Sequence, residues 1–460
     1  MILTKDKGFY KTLVALSVPI ALQNLITFSV TLADNVMIGA LGDAAVSGVY
    51  MGGQVQTLLQ LFSAGIESAM LVLAAQYWGK GDKAAISRIV SIGLRASAIF
   101  AAVLSAVCIT VPQTVISLFT SDGSIIEVGA EYLRITAISF PFFCITQSLI
   151  AAMRSVENAR IGFYVSLVSL VSNLTLNYVL IFGKLGFSPL GVRGAAIATL
   201  ISRVIEAAVM VVYTLIIDKR LRFRLSELLR LDKNLLADLI RYGAPIVLGQ
   251  LVWAANMMSN SAIMGRQGAE GVVAGLSIAN TLHNLTYVVM NGMSGAVGII
   301  TGKTIGEGKE RLMREYARTV QILFIILGVV TGASIRLLRD PFIALYSVSE
   351  AAAAQARSLI NVITVTVVGT CYQAACLFGL VKSGGDTSFV LKNDIIFVFG
   401  VVIPSALIAT RLGLAPWIVF ACLKCDQILK CAVAAVKINR FNWMKNLTRS
   451  GGKLRENPDF

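Results

Sequence analysis

From Leu13 to Gly39 the chain reads LVALSVPIALQNLITFSVTLADNVMIG, an apolar run interrupted by one proline and one acid. Comparable runs recur to the end of the sequence, at 12–39, 46–75, 89–118, 128–153, 161–184, 194–217, 236–265, 271–301, 315–336, 355–381, 388–410 and 415–438. A helix rising ~1.5 Å per residue needs about 20 such residues to cross the hydrocarbon core of a bilayer. Within lipid, a segment of this kind satisfies its backbone hydrogen bonds internally only as a helix. The pattern therefore predicts an all-α polytopic membrane protein with twelve transmembrane helices. The first run is too long for a signal-peptide core and lacks a convincing cleavage site, so no cleaved leader is expected.

Composition agrees with the pattern. Of 460 residues, 56% are hydrophobic and 14% charged, and the mean hydropathy is +0.76, outside the range of soluble domains. A net charge of +15 would by itself suggest nucleic acid as a partner, but its distribution points elsewhere. With the N-terminus inside, 28 of the 40 basic residues fall in inner loops and termini and 8 in outer loops. That asymmetry places both termini in the cytoplasm and makes the cell (plasma) membrane the expected location, with the lipid bilayer as partner and no nucleic acid. The longest inner loop, Asp218–Asp238, carries apolar residues at helical spacing and reads as an amphipathic helix on the inner membrane surface. It separates an N-terminal lobe (1–217) from a C-terminal lobe (236–438), with a linker at 218–235 and a cytoplasmic tail at 439–460.

The two lobes look like copies. At an offset of 226, Pro19, Ile20, Leu22, Leu25, Gly39, Gly42 and Val46 match Pro245, Ile246, Leu248, Leu251, Gly265, Gly268 and Val272. Gly79-Lys-Gly81-Asp answers Gly306-Glu-Gly308-Lys, and Arg154-Ser-Val-Glu-Asn answers Lys382-Ser-Gly-Gly-Asp. Two six-helix halves in parallel orientation are a transporter layout.

Polar residues inside the apolar runs are the candidate chemistry. Asp34 lies at bilayer depth, where a carboxylate costs several kcal/mol unless it is partnered, cavity-facing or protonated, so it is a functional candidate. A snorkelling acid near the outer helix end is the bland alternative. Asn173 and Asn177 lie one turn apart on one face of the fifth span. Glu67, at mid-span in the second run, is a second proton site, a contact for a cationic substrate, or half of an ion pair. Arg203 with Glu206, and Asp426 with Lys430, have the spacing of structural ion pairs. Pro19 removes a helical hydrogen bond and predicts a kink below Asp34. Phe28, Tyr50, Phe62, Trp253, Tyr287 and Met290 offer aromatic and thioether surface to a cavity, or else to lipid and core.

Other classes are poorly served. His283 is the only histidine and has no second ligand at metal spacing, so neither a metal nor a cofactor is expected. The seven cysteines lie almost wholly in apolar runs and read as small hydrophobes, Cys422-Leu-Lys-Cys425 included. One histidine and scattered acids do not make an enzyme's nucleophile, acid and base, and no symmetric polar filter suggests a channel.

Four stretches carry a family resemblance: Pro19 followed by Asp34 in ADNVMIGALG, AQYWGKGD at 75–82, NLTLNYVLIFG at 173–183 and GVRGAAIATLIS at 191–202. In this order, over two six-helix halves, the chain resembles the multidrug and toxic compound extrusion (MATE) family of cation-coupled exporters, of the type coupled through the N-terminal lobe. The resemblance implies a V-shaped, monomeric transporter that alternates between inward-open and outward-open states and exports amphipathic, often cationic, organic compounds. It also implies a cation-coupling site of Asp34, Asn173, Asn177 and Thr199. The family pattern has an aspartate where this chain has Asn177, which removes a charge that a hard cation such as sodium would prefer. A proton taken up at Asp34 is thus the expected coupling ion rather than sodium. Family acids of the C-terminal lobe correspond here to Trp253 and Cys376, neither of them acidic. A lipid-linked or polysaccharide flippase of the same general shape is the alternative.

Overall fold

In the computed structural model, residues 3–230, 232–268, 270–346, 348–450 and 453–454 are described. Among them eleven helices are long and apolar enough to cross a membrane. They are α1 (Lys7–Gly39), α2 (Asp43–Lys80), α3 (Lys83–Thr110), α4 (Gly123–Ser155), α5 (Arg160–Phe182), α6 (Gly191–Ile217), α7 (Lys233–Gly265), α8 (Val272–Gly306), α9 (Glu310–Ile343), α10 (Glu350–Lys382) and α11 (Thr387–Arg411). Most run a few residues beyond the apolar runs. Helix geometry continues into the charged ends, where the polar termini need capping rather than burial.

The repeated loop motifs are capping devices. Gly81, at φ 81°, closes α2, its N–H donating to the carbonyls of Trp78 and Tyr77. Asp82 then opens α3 by accepting the N–H of Ala85. The counterpart loop turns at Gly308, φ 74°, and the second motif pair turns at Glu157 (φ 59°) and Gly385 (φ 99°). Positive φ favours glycine, and the non-glycine Glu157 is the exception among these four.

Two expectations are corrected. The twelfth apolar run does not form one helix: it folds as α12 (Pro416–Leu423) and α13 (Asp426–Asn439), parted at Lys424 and Cys425. Beside the break, the Gln373 side chain donates to the Asp426 carbonyl at 2.8 Å. The loop Asp218–Asp238 is not an amphipathic helix either. Among its described residues it contains only a 3₁₀ segment, Leu225–Leu229, before α7 begins. The Asp218 carboxylate takes the N–H groups of Leu221 and Arg222 and turns the chain. Leu221 and Phe223 are buried against protein rather than laid on a surface. Pro19 and Pro245 both lie inside continuous helices, α1 and α7.

The chain packs as two units, Leu22–Gly243 and Met1–Ala21 with Ala244–Phe460. They part inside α1 and α7, close to Pro19 and Pro245, rather than in the loop between the two sequence halves. In the first unit, Val55, Leu59, Ala101, Ile116, Leu133 and Phe140 form one core cluster, and Ile38, Val49, Tyr132, Ile181 and Ala196 another. α5 and α6 lie so close that a Cβ on Gly194 would stand 2.5 Å from the Leu180 carbonyl oxygen. In the second unit the N-terminal strap is tied by the Thr4 N–H, which donates to Thr319 Oγ1 at 2.8 Å, and by a hydrogen bond from the Tyr316 hydroxyl to Asp6. That hydroxyl, with the Gly8 N–H, holds the Asp6 carboxyl below its ordinary range. The tail returns to the α10–α11 turn, where Lys437 and Lys445 both engage Asp386, at 2.6 and 2.8 Å, and Trp443 is fully buried. Beyond it Arg449–Ser450 pairs antiparallel with Lys453–Leu454.

A side chain at Gly194 must push against α5 backbone, whereas Gly53 faces open space. Gly194→Val is therefore expected to cost about 1–3 kcal/mol and to lower the thermal unfolding midpoint of the purified protein, with Gly53→Val close to wild type by the same assay.

Candidate functional site

The close pairing of α5 and α6 brings two polar stripes together in the first unit. On α5, Ser169, Asn173 and Asn177 follow one another at four-residue intervals and so share a face. On α6, Thr199, Arg203 and Glu206 follow at intervals of four and three and likewise share a face. Asn173, Asn177 and Glu206 are buried, at 3%, 1% and 2% exposure. A buried polar group must find partners, and most of these do. Ser169 Oγ donates to Glu206 Oε2 at 3.3 Å, and the Arg203 guanidinium pairs with the same oxygen at 2.7 Å. Asn177 Nδ2 donates twice, to Asn173 Oδ1 at 3.1 Å and to Asp34 Oδ1 at 2.5 Å.

Asp34, half-buried on α1, is thus the carboxylate at the head of this network. Two further groups act on it. Arg203 lies within electrostatic reach, and so does Tyr132 of α4, whose phenol is in hydrogen-bond contact with Thr199. Arg203 also lies over the Phe143 ring, 5.0 Å from its centroid. One atom is left over: Asn177 Oδ1 is buried and has no hydrogen-bond partner. Asp34, Asn173, Asn177 and Thr199, the set that the resemblance implies, are therefore neighbours in one cluster. Tyr132 was not foreseen in it. Arg203 and Glu206 form the expected pair but belong to the same cluster, and the stripes on α5 and α6 are the sequence signal that would have placed them there.

The cluster contains one carboxylate free of an ion pair at contact distance, Asp34, a second, Glu206, paired with Arg203, two amides and the hydroxyls of Ser169, Thr199 and Tyr132. Such a set can exchange a proton at Asp34: ionised, the carboxylate accepts from Asn177 and is attracted by Arg203, and protonation weakens both interactions. It is a poor cage for a metal cation, which needs several anionic or carbonyl oxygens and no adjacent guanidinium. Among the described residues no three His, Cys, Asp or Glu side chains converge as a metal site.

The remaining candidates lie elsewhere. Glu67 accepts from Ser63 Oγ at 2.6 Å and has Arg154 as its cationic neighbour. Arg154 in turn donates to Gln23 Oε1 at 2.7 Å. Phe28 is half-buried and Tyr50 exposed in the first unit. Trp253, Tyr287 and Met290 belong to the second, where Trp253 is exposed, Met290 buried and Tyr287 edge-on to His283 at 4.7 Å. Phe62 stacks on Phe100 at 3.7 Å between centroids.

Fold and site together define a multi-pass helical membrane protein with a repeated transporter layout and a polar cluster buried in one half. The MatE family profile matches residues 19–179 and 245–408, more than half of the chain. The chain belongs to that family. Among relatives, a protein named "Probable multidrug resistance protein NorM" from Thermotoga maritima is 27% identical over 343 residues, 73% of this chain and 72% of its own length. "Uncharacterized transporter YisQ" from Bacillus subtilis is 24% identical over 409 residues, 87% of each chain. Solved structures share the fold. A Vibrio cholerae MATE transporter, VcmN, superposes with a TM-score of 0.85 at 16% identity, covering 95% of this chain and 98% of its own. A Pyrococcus furiosus transporter of the MOP superfamily gives 0.83 at 21%, covering 95% and 98%.

Breaking the Arg203–Glu206 pair from one side leaves a charge without its partner inside the unit. Glu206→Leu is expected to cost about 3–5 kcal/mol of stability. The double substitution Arg203→Met with Glu206→Leu is expected to recover most of that loss. Thermal unfolding of the single and double variants, set up as a double-mutant cycle, measures both.

Proposed function

We propose that the protein is a secondary exporter, not an enzyme, that moves amphipathic organic compounds, often cationic ones, out across the plasma membrane in exchange for protons bound at Asp34. The observation that carries this reading is the composition of the α1–α5–α6 cluster. It has one titratable carboxylate at hydrogen-bond distance from Asn177 and within the field of Arg203. Family membership and the names of the relatives, several of them multidrug resistance proteins, support export.

The chemistry follows from that arrangement. Ionised, Asp34 accepts the Asn177 N–H and is attracted to Arg203. Protonated, it loses the attraction and weakens the hydrogen bond, so the two forms favour different side-chain arrangements of α1 against α5 and α6. Exchange requires that proton and substrate disfavour each other's occupancy, and their differential affinity for the two transport states sets the available drive. Sodium is the less favoured ion, because Asn177 supplies no charge and Arg203 repels a second cation. Pro19 gives α1 a place to bend. Both termini lie in the cytoplasm in this reading, and a monomer suffices.

Proteoliposomes loaded with a cationic dye test the proposal directly. An imposed proton gradient should drive efflux in wild type, a sodium gradient should not, and Asp34→Asn should reduce efflux to that of empty vesicles while the protein still folds. Efflux that persists in Asp34→Asn would move the coupling site elsewhere, with Glu67 next to be replaced. Movement under sodium alone would overturn proton coupling. No dye movement under either gradient would favour a flippase, to be tried with lipid-linked substrates.

A further inference from the structure

The second unit contains a buried charge cluster of opposite balance, contributed by α10, α11 and the broken pair α12 and α13. Asp394 and Asp426 both engage one lysine, Lys430, at 2.9 and 3.1 Å. Lys382, at the end of α10, acts on Asp394 and lies 5.3 Å from the centroid of the Phe378 ring. Lys424 is the third lysine. It stands in the break between α12 and α13 and is 5% exposed, and its ammonium has neither a hydrogen bond nor a carboxylate within 4 Å among the described residues. Its ammonium rests over the Phe420 ring, 5.6 Å from the centroid. Asp426, already held by Lys430, and His283 are its electrostatic neighbours. His283 is itself buried and meets Tyr287 edge-on.

Lys430 thus takes both carboxylates, and Lys424 has none at contact distance among the described residues. A buried ammonium without a partner is costly, and it persists as a charge only where an anion reaches it. Aromatic contact offsets only part of that cost. Nearby, Tyr287 offers a half-buried ring and His283 a second polar group.

We propose that Lys424 is the recognition point for an acidic group, a carboxylate above all, on the compounds this protein transports. The proposal rests on the exporter reading above for its physiological meaning, but the binding it describes needs no gradient and no proton coupling. An acid bound at Lys424 gives the ammonium the charge-assisted hydrogen bond it lacks.

Two dyes that differ only at the acid provide the test: rhodamine 110, with a free carboxylate, and rhodamine 123, its methyl ester. Equilibrium binding to the purified full-length protein is read by fluorescence anisotropy. Wild type should bind rhodamine 110 more tightly than rhodamine 123. Lys424→Met should weaken rhodamine 110 by about tenfold or more, the value of a charge-assisted hydrogen bond, and leave rhodamine 123 unchanged. Lys424→Arg should keep the preference. Asp34→Asn should also keep it, so that loss of proton coupling and loss of acid recognition are separate results. Equal affinities for the two dyes in wild type, an equal loss of both in Lys424→Met, or no saturable binding of rhodamine 110 overturns the proposal. If Lys424→Met does not fold, the wild-type comparison of the two dyes decides alone.

Discussion

A bilayer offers no water to a backbone amide or a charge, and nearly every feature of this molecule answers to that constraint. It makes each apolar run a helix, because only a helix satisfies its own peptide groups in hydrocarbon. It also governs the interruptions. Where α12 and α13 part, the Gln373 side chain donates a further hydrogen bond to the Asp426 carbonyl in the first turn of α13. Where α2 gives way to α3, Gly81 and Asp82 satisfy the end of one helix and the start of the next. Charges inside the spans are treated in the same way, by pairing, as in Arg203 with Glu206 and Lys430 with Asp394 and Asp426. Asp34 and Lys424 are two charges that, among the described residues, have no ion pair at contact distance, and the proposals above rest on them.

The two halves share a backbone plan and diverge in charge. Pro19 matches Pro245 and Gly39 matches Gly265, and both prolines lie inside a continuous helix. At the same offset Asp34 corresponds to Asn260, whose side-chain oxygen is buried without a partner. One half therefore keeps a titratable acid on its first helix and the other keeps an amide at that position. The second half places its ionisable groups later, on α10 to α13, with lysine in excess. Duplication supplies two copies of a scaffold, and the chemistry of each copy is set by a few buried substitutions.

The spans were legible because hydrophobic runs of this length have one reading in a membrane protein, and the capping motifs were legible as repeats before their geometry was known. The break at Lys424 was not, since α12 and α13 together are as apolar as an unbroken span. Its signal was arithmetic: once the loops had taken their basic residues, Arg95, Arg203, Lys424 and Lys430 remained within the spans. The loop 218–238 was misread because helical spacing of apolar residues does not reveal that Asp218 will fold the chain back and bury Phe223. At the site, Asp34, Asn173 and Asn177 could be found by position and spacing along single helices. Tyr132 could not, because its place beside Thr199 is created only by the packing of α4 against α6.

Coupling between a proton and a distant substrate needs an element that both can bias. α1 meets that requirement in its chain course: its first part, to Ala21, packs with the second unit, and the remainder, with Asp34, packs with the first. α7 divides in the same manner at Gly243, but where α1 has its acid α7 has Asn260, which cannot change charge. Of the two helices shared by both units, only α1 carries a group at this position that a proton can switch. On the exporter reading, the asymmetry explains why one coupling site serves a duplicated fold, and why the second half is free to carry a surplus of positive charge.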